Sequence, residues 1–301
     1  MAVDPAQRQE MSGTHDGPEP ATAIAARRAP TQGKVAIAFL AIVVLGAILG
    51  PLLRPYSAIE TDLPNRLLAP GSHLSDGSIA LLGTDQLGRD MLAQVLAGSR
   101  VSVIVGMLTV LIGGLVGLTF GLLAGYFGGW VDTVISRLGD IQLAFPSVLL
   151  AIFIAGVLGP SLTNLIIALA VTRWVIFARV VRASAISVRG LDYVDSARIL
   201  GAGHLRILVR YILPSCWSSL LVAGTAQIGL AMVAEASLSF LGLGVPVTQA
   251  SWGSTISIGR DYLASAWWIS AIPGVMLAVV VVAIGLVSDA YRDSTDPRAA
   301  L

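Results

Sequence analysis

Residues 192–214 read DYVDSARILGAGHLRILVRYILP and form a polar, arginine-rich stretch between two strongly apolar blocks. Apolar residues recur at helical spacing on each side of Gly201 and Gly203, and glycines can break a helix and turn the chain sharply. Asp192 is placed to cap the first helix, and the helix dipole favours Asp195 in its first turn. The pattern predicts two short amphipathic helices joined by a glycine elbow, in a segment that projects from a membrane protein and docks on a partner outside the membrane.

The composition indicates a membrane protein. Hydrophobic residues make up 55% of the 301 and charged residues only 12%, with a mean hydropathy of +0.81. Soluble domains carry about 25% charged residues, so most of this chain does not face water. The net charge of +1 indicates no nucleic-acid partner. Cys216 is the only cysteine and the three histidines are scattered, which argues against a disulfide, a metal site and a catalytic triad, and therefore against an enzyme.

Long charge-free runs predict the membrane spans. The chain divides into a disordered tail at 1–34, a first span at 35–53, a proline-broken extracytoplasmic segment at 54–100, a core with five further spans at 101–292, and a second tail at 293–301. Basic residues are concentrated in the inner segments, which places both tails in the cytoplasm.

Two spans of the core share one long apolar run. They are predicted at 138–158 and 162–182, with a tight turn at Gly159-Pro160-Ser161 between them. Pro146 falls in the first turns of the former span, where a proline does least harm.

A ridge of glycines runs along the second predicted span. Every fourth residue is a glycine at Gly113, Gly117, Gly121, Gly125 and Gly129. An interior glycine costs up to about 1 kcal/mol relative to alanine. Small residues at this spacing let two helix backbones approach closely in lipid. The ridge predicts a packing seam, although it does not identify the partner helix. The alternatives are that the glycines are tolerated on a lipid-facing helix, or that the last two belong to a loop.

The opening stretch also resembles the "EAA" loop of ABC-importer permeases. The matching residues are Asp195-Ser196-Ala197, Gly201 four residues after Ala197, and Leu213-Pro214 twelve residues after Gly201. Asp195 stands for the usual Glu and Ser196 for the first Ala, so an acidic helix start and a small second residue are retained. In that family the loop, here 187–213, forms coupling helices that insert into a cleft on a cytoplasmic ATPase. The resemblance implies that the ATPase-coupling residues are Asp195, Ser196, Ala197, Leu200, Gly201, Leu205 and Pro214.

Two further segments resemble the C-type permease subunits of peptide and nickel importers. They are residues 83–102, with GTDQLGRD and GSRVS, and residues 235–244, EASLSFLGLG, followed by Trp252-Gly253. The resemblance covers residues 35–292. It implies an all-α polytopic membrane protein with six transmembrane helices and a cytoplasmic coupling-helix loop, which is the type I ABC importer permease fold.

The same resemblance implies the partners and the location of the chain. They are a second homologous permease subunit, two ABC ATPase subunits, an extracytoplasmic substrate-binding protein and the lipid of the plasma (inner) membrane. The chain has no Gly-x-x-x-x-Gly-Lys-Ser/Thr loop. We therefore expect no cofactor on this chain, with ATP and Mg bound by the partner subunits.

The expected substrate is a di- or oligopeptide, with nickel as the alternative within the group. A stand-alone secondary transporter or channel, or a membrane-embedded enzyme, is the alternative from another class. A secondary transporter would show several ionisable residues along its pathway, and only Arg173 and Glu235 qualify. A carboxylate inside a span costs roughly 2.5–3.5 kcal/mol at the centre and less near an interface. Glu235 is therefore expected to face protein or a water-filled cavity, either as a pore or gate residue that meets a peptide amino group or as a local helix-end contact.

Overall fold

Long helices dominate the computed structural model, which describes residues 29–53, 58–246 and 248–295. Of the disordered tail predicted at 1–34, residues 1–28 lie outside the described residues, and so do residues 296–301 of the second tail. Ten α-helices are found in the described ranges: α1 Ala29–Leu53, α2 Met91–Phe127, α3 Gly129–Leu143, α4 Ser147–Leu158, α5 Leu162–Arg189, α6 Asp192–Ile199, α7 His204–Ile207, α8 Leu213–Phe240, α9 Trp252–Gly259 and α10 Trp268–Thr295. Two short antiparallel strands, β1 Ser72–His73 and β2 Ile79–Ala80, precede α2, with Ser72 opposite Ala80.

Five helices of the described chain are long and apolar enough to cross a membrane, and the α3–α4 pair can supply a sixth span. Several predicted boundaries differ from the observed ones. The first helix begins at Ala29 rather than at residue 35, and α10 continues to Thr295. α2 begins at Met91, so the last ten residues assigned to the extracytoplasmic segment are helical. The Asp90 side chain accepts a hydrogen bond from the Leu92 backbone N–H at 2.8 Å and so caps the start of α2.

The predicted continuous span at 138–158 is wrong, because α3 and α4 meet at an angle of 86°. The break lies at Ala144, Phe145 and Pro146, between Leu143 and Ser147. Proline lacks a backbone N–H and disfavours the helical conformation of the residue before it, so one helix ends there and another begins. The turn predicted at residues 159–161 does lie between α4 and α5, and Gly159 has a φ of +80°.

The segment that was predicted to be extracytoplasmic forms a small folded lobe that is held to the N-terminal ends of α2 and α10. The buried Asp85 carboxylate accepts hydrogen bonds from Arg89 Nε at 2.6 Å and from Gln94 Nε2 at 2.9 Å. The Trp268 indole N–H donates to the Thr84 carbonyl at 3.0 Å. These contacts fix the polar lobe on the apolar helices below it.

Candidate functional site

The loop that opened the sequence analysis forms a helical hairpin, defined here as residues 192–207. α6 begins after Leu191, whose side chain makes no cap, so the predicted capping role of Asp192 is wrong. Asp192 and Asp195 both lie in the first turn of α6, where the helix dipole favours a negative charge. The Arg198 Nη1 donates to the Asp195 carboxylate at 2.7 Å across one turn.

Gly201 makes the elbow of the hairpin. Its φ is +81°, a conformation that residues with a side chain rarely adopt. The Ala202 N–H donates to the Ala197 carbonyl and the Gly201 N–H to the Arg198 carbonyl, each at 3.0 Å, which satisfies carbonyls at the end of α6. Gly203 has an ordinary φ of −67°. A Cβ built on Gly201 meets no atom of the chain within 4 Å, so this corner of the hairpin is open on the outside.

The second predicted short helix is not a separate element. α7 has only four residues and passes through a π-helical segment, Leu208–Ile212, into α8. The whole run His204–Phe240 counts as one membrane-length helix. Pro214 directly follows the π-helical segment and Leu213, inside this continuous run and outside the hairpin. Leu205 is therefore carried at one end of a helix that continues into the membrane.

The hairpin buries one apolar face and exposes another. Val194 and Ile207 are fully buried in a cluster with residues of α2, α5 and α8, and Ala197 is also buried. In contrast, 85% of Ile199, 86% of Leu200 and 74% of Leu205 is exposed. Among the other predicted coupling residues, Asp195, Ser196, Gly201 and Pro214 are exposed. These three exposed side chains form the apolar tip of the hairpin (Ile199, Leu200 and Leu205). The other face of the hairpin packs on the helix bundle.

Two contacts to the end of α2 were missed by the sequence analysis. The Tyr126 hydroxyl and the His204 Nδ1 are 2.7 Å apart, and the Arg189 Nη1 donates to the Tyr126 carbonyl at 3.0 Å. The rings of Phe127 and His204 also lie in contact. The signal in the sequence was a pair of aromatic residues between Gly125 and the Gly128-Gly129 pair, but nothing in it pointed to a partner 78 residues away.

The glycine ridge of α2 lies against α5. A Cβ on Gly117 would be 2.5 Å from the Phe177 Cβ, and one on Gly121 would be 2.6 Å from the Ala178 carbonyl oxygen. A Cβ on Gly125 would be 2.6 Å from the Ala185 Cβ. Real Cβ atoms do not approach this closely, so the two backbones are in contact only because side chains are missing here.

The two ends of the ridge differ from its middle. Gly113 is less tight, at 3.3 Å from the Ala170 carbonyl oxygen. Gly129 belongs to α3 and has a φ of +54°, so it is not part of the ridge. The close approach is therefore confined to the part of α2 between these two glycines.

Ion pairs join α3 to α5 near the hairpin. Arg182 binds the Asp132 carboxylate through two nitrogens, at 2.5 and 2.6 Å. The Arg179 Nη2 donates to the Asp140 carboxylate at 2.8 Å in a more exposed position. Together with the Gly117 contacts, these ion pairs hold α5 against both α2 and α3.

Glu235 is fully buried and links two helices. Its carboxylate accepts hydrogen bonds from the Ser102 hydroxyl of α2 at 2.9 Å and from the Ser239 hydroxyl of α8 at 2.8 Å. Directly beside it, α9 packs on α8 through Gly253, where a Cβ would overlap the Ala236 carbonyl. The fully buried Trp252 indole donates to the Val95 carbonyl at 2.9 Å. The EASLSFLGLG and Trp-Gly motifs are thus in contact, and both are used in packing.

The membrane-length helices, the hairpin and the α2–α5 seam together define a multi-pass membrane protein with a helical projection from its bundle. Residues 117–301 match the family described as "Binding-protein-dependent transport system inner membrane component", and the chain belongs to that family. It is a multi-pass inner-membrane protein and a permease subunit, as the resemblance to ABC-importer permeases implied.

Curated relatives cover most of the chain. It is 39% identical over 261 residues to the di/tripeptide transport system permease protein DppC of Pseudomonas aeruginosa, and the aligned region covers 86% of each protein. It is 38% identical over 264 residues to the dipeptide permease DppC of Haemophilus influenzae, covering 88% of this chain and 90% of the relative. It is also 39% identical over 272 residues to the nickel transport system permease protein NikC of Escherichia coli K12, covering 88% and 94%. The predicted similarity to C-type permeases is confirmed.

Solved structures share the fold at low sequence identity. The inward-facing methionine ABC transporter MetNI matches with a TM-score of 0.55 and 19% identity, over 68% of this chain and 98% of that one. An amino acid ABC transporter matches with a TM-score of 0.52 and 19% identity, over 67% and 94%. The predicted all-α, type I ABC importer permease fold is confirmed.

Proposed function

We propose that this chain is the transmembrane permease subunit of an ATP-binding-cassette importer that moves di- or oligopeptides into the cell. Two of the relatives named above are dipeptide or di/tripeptide permeases, which supports a peptide substrate. ATP and Mg bind to separate ATPase subunits, so this chain holds no cofactor and catalyses no reaction. Nickel is the second candidate substrate, because the nickel permease NikC is as similar to the chain as the peptide permeases are.

The apolar tip of the hairpin carries the proposal. Burial of one leucine side chain contributes about 1.5–3 kcal/mol, and Leu200 and Leu205 both present most of their surface to the outside. The opposite face of the hairpin is already buried in the bundle, so the tip is held rigidly for a partner. A cleft on an ATPase subunit covers these leucines and transmits the effect of ATP binding to the helices.

The charges of the hairpin region support its orientation. Arg189, Arg198, Arg206 and Arg210 flank or belong to the hairpin, and such clusters lie on the cytoplasmic side. Both chain termini then lie in the cytoplasm. The lobe around Asp85 lies outside the membrane, where an extracytoplasmic binding protein delivers the peptide. A second homologous permease completes the pathway, two ATPases complete the importer, and lipid covers the remaining apolar surface.

The double variant Leu200→Ala/Leu205→Ala tests the proposal in the importer purified with its partner subunits. We expect the permease pair to assemble in the membrane while bound ATPase and peptide-stimulated ATP hydrolysis fall. Leu81→Ala is the control, because Leu81 is 56% exposed but lies in the extracytoplasmic lobe. Normal ATPase binding and uptake by the double variant would remove the hairpin from the mechanism.

Uptake of a radiolabelled dipeptide and of radiolabelled nickel into proteoliposomes separates the two substrates. Wild-type importer that takes up the dipeptide but not nickel supports the first candidate. The opposite result would replace it with the second.

A further inference from the structure

Arg173 is a charged residue in the middle of a membrane helix. It lies on α5, 11 residues after Leu162 and 16 before Arg189. At about 1.5 Å per residue, these separations are about 16 Å and 24 Å, so the Cα of Arg173 lies in the central part of the span. An ionisable side chain at this depth is costly and normally faces the protein interior or a water-filled path.

The hydrogen-bond partners of Arg173 are neutral. Its Nη1 donates to the Gln227 side-chain oxygen at 2.6 Å, and its Nη2 donates to the Leu230 backbone carbonyl at 2.8 Å. Among the described residues, no carboxylate lies within ion-pair distance of Arg173, whereas Arg179 and Arg182 on the same helix are both paired. The positive charge of Arg173 is therefore not compensated by the described part of the chain.

The guanidinium also keeps unused hydrogen-bonding capacity. Arginine offers five N–H donors, and among the described residues each of the two terminal nitrogens of Arg173 makes one hydrogen bond, which leaves one N–H on each of them. The Nε also has no partner among these residues, but it is buried and out of reach of a solute. The Nη2 contact of Arg173, in contrast, lies at the surface between α5 and α8, and Leu230 is 54% exposed. A charged group at a surface in the middle of the membrane is not stable against lipid. This part of the α5–α8 surface consequently does not face lipid, and the pathway that the second permease completes is where the importer offers it water or a polar solute.

The geometry points to Arg173 as a carboxylate-binding residue on the translocation path, where it takes the C-terminal carboxylate of a peptide in transit. The inference rests on the proposed peptide-import function. An arginine fork with free N–H groups matches the two oxygens of a carboxylate. An uncompensated positive charge also repels a bare divalent cation, so the same residue disfavours free nickel ions. Gln227 positions the guanidinium through the 2.6 Å hydrogen bond.

The test uses the complete importer in proteoliposomes, with saturating binding protein loaded either with a dipeptide or with the same dipeptide as its C-terminal amide. We expect wild type to import the free acid at least about tenfold faster than the amide, which is the effect of about one charge-assisted hydrogen bond. In Arg173→Gln the ratio of the two rates should fall to about one, because uptake of the acid drops while uptake of the amide stays. Arg173→Lys should keep part of the preference.

Arg137→Gln is the matched control, because it removes an exposed arginine from another helix and should leave the ratio unchanged. A wild-type ratio near one, or an unchanged ratio in Arg173→Gln, would overturn the inference while dipeptide uptake still supports the proposed function. If Arg173→Gln does not assemble, the comparison of the two peptides in wild type decides. If wild type imports neither peptide, the proposed function itself has failed and the inference fails with it.

Discussion

Two glycines on one helix allow a controlled test of the α2–α5 seam. Gly114 and Gly117 are both buried positions of α2. A Cβ on Gly114 meets no atom of the chain within 4 Å. A Cβ on Gly117 would lie 2.5 Å from both the Phe177 Cβ and the Trp174 carbonyl oxygen. The same Gly→Ala substitution is therefore free of clashes at one site and forces two helices apart at the other.

The magnitudes follow from two opposing effects. Replacing a helical glycine by alanine stabilises the helix by up to about 1 kcal/mol, and this gain is common to Gly114→Ala and Gly117→Ala. Overpacking costs about 1–3 kcal/mol, and it applies only to Gly117→Ala. Because backbone atoms of α5 are among those in the way, relief requires a shift of the helix and the cost belongs in the upper part of that range. The difference between the two variants should thus be about 2–3 kcal/mol.

The assay is thermal denaturation of the purified chain, followed by fluorescence-detected size-exclusion chromatography, with the yield of assembled complex as a second measurement. Gly114→Ala should be at least as stable as wild type, and Gly117→Ala should unfold at a lower temperature. Gly117→Leu, with a larger side chain, should not assemble. Equal stability of the two alanine variants would show that the α2 glycines do not hold the helices together.

Three further predictions address the hairpin, Glu235 and the membrane topology. Gly201→Trp should remain in the membrane and paired with the second permease but lose ATPase binding. A φ of +81° is strained for tryptophan, and the open corner of the hairpin at Gly201 is expected to face the ATPase. Co-purification of the ATPase with this variant, together with normal uptake, would contradict the prediction. Glu235→Gln should transport peptides of different charge as wild type does. Glu235→Leu leaves the Ser102 and Ser239 hydroxyls unpaired and should lower the free energy of unfolding by about 1–3 kcal/mol for each of them. A charge-dependent loss of uptake in Glu235→Gln would instead indicate contact with the substrate. Tags on both termini should be accessible only from the cytoplasm and a cysteine at Ser75 only from outside, and labelling of Ser75 from the cytoplasm would overturn the predicted topology.

The sequence predicted the fold class because the signals for it are local and strong. Charge-free runs long enough to span a bilayer need no tertiary information. The errors lie where neighbouring structure decides. The start of α2 at Met91 was missed because charge was used as the boundary signal, and Asp90 and Arg100 lie near or inside the helix. The 86° break at Pro146 was missed because the proline was placed near the start of a span, where it is tolerated.

The hairpin shows how much of a functional site a sequence motif can predict. Apolar spacing placed the residues on helices, but it did not separate the buried Val194 from the exposed Leu200, since both fit the same period. The second half of the loop was predicted to be a separate short helix. In the structure it continues through the π-helical segment into α8, and Pro214 lies within that continuous run. The exposed tip, on which the docking argument depends, is a property of tertiary packing alone.

Arg173 and Glu235 show the same limit for the membrane core. In the sequence both are ionisable residues within spans. Because burying a charge in a membrane is costly, each is equally a candidate for a role in transport. The structure separates them by their partners. Glu235 is fully buried, and each oxygen of its carboxylate accepts a hydrogen bond from a serine hydroxyl. Its hydrogen bonds are therefore made within α2 and α8, which it holds together. Arg173 reaches neutral acceptors at a surface, and among the described residues one N–H on each of its two terminal nitrogens stays unused. A group whose hydrogen bonds are complete stabilises the fold, whereas a group with spare donors and an uncompensated charge is suited to bind a solute, and that difference favours Arg173 over Glu235 as the residue that meets the peptide.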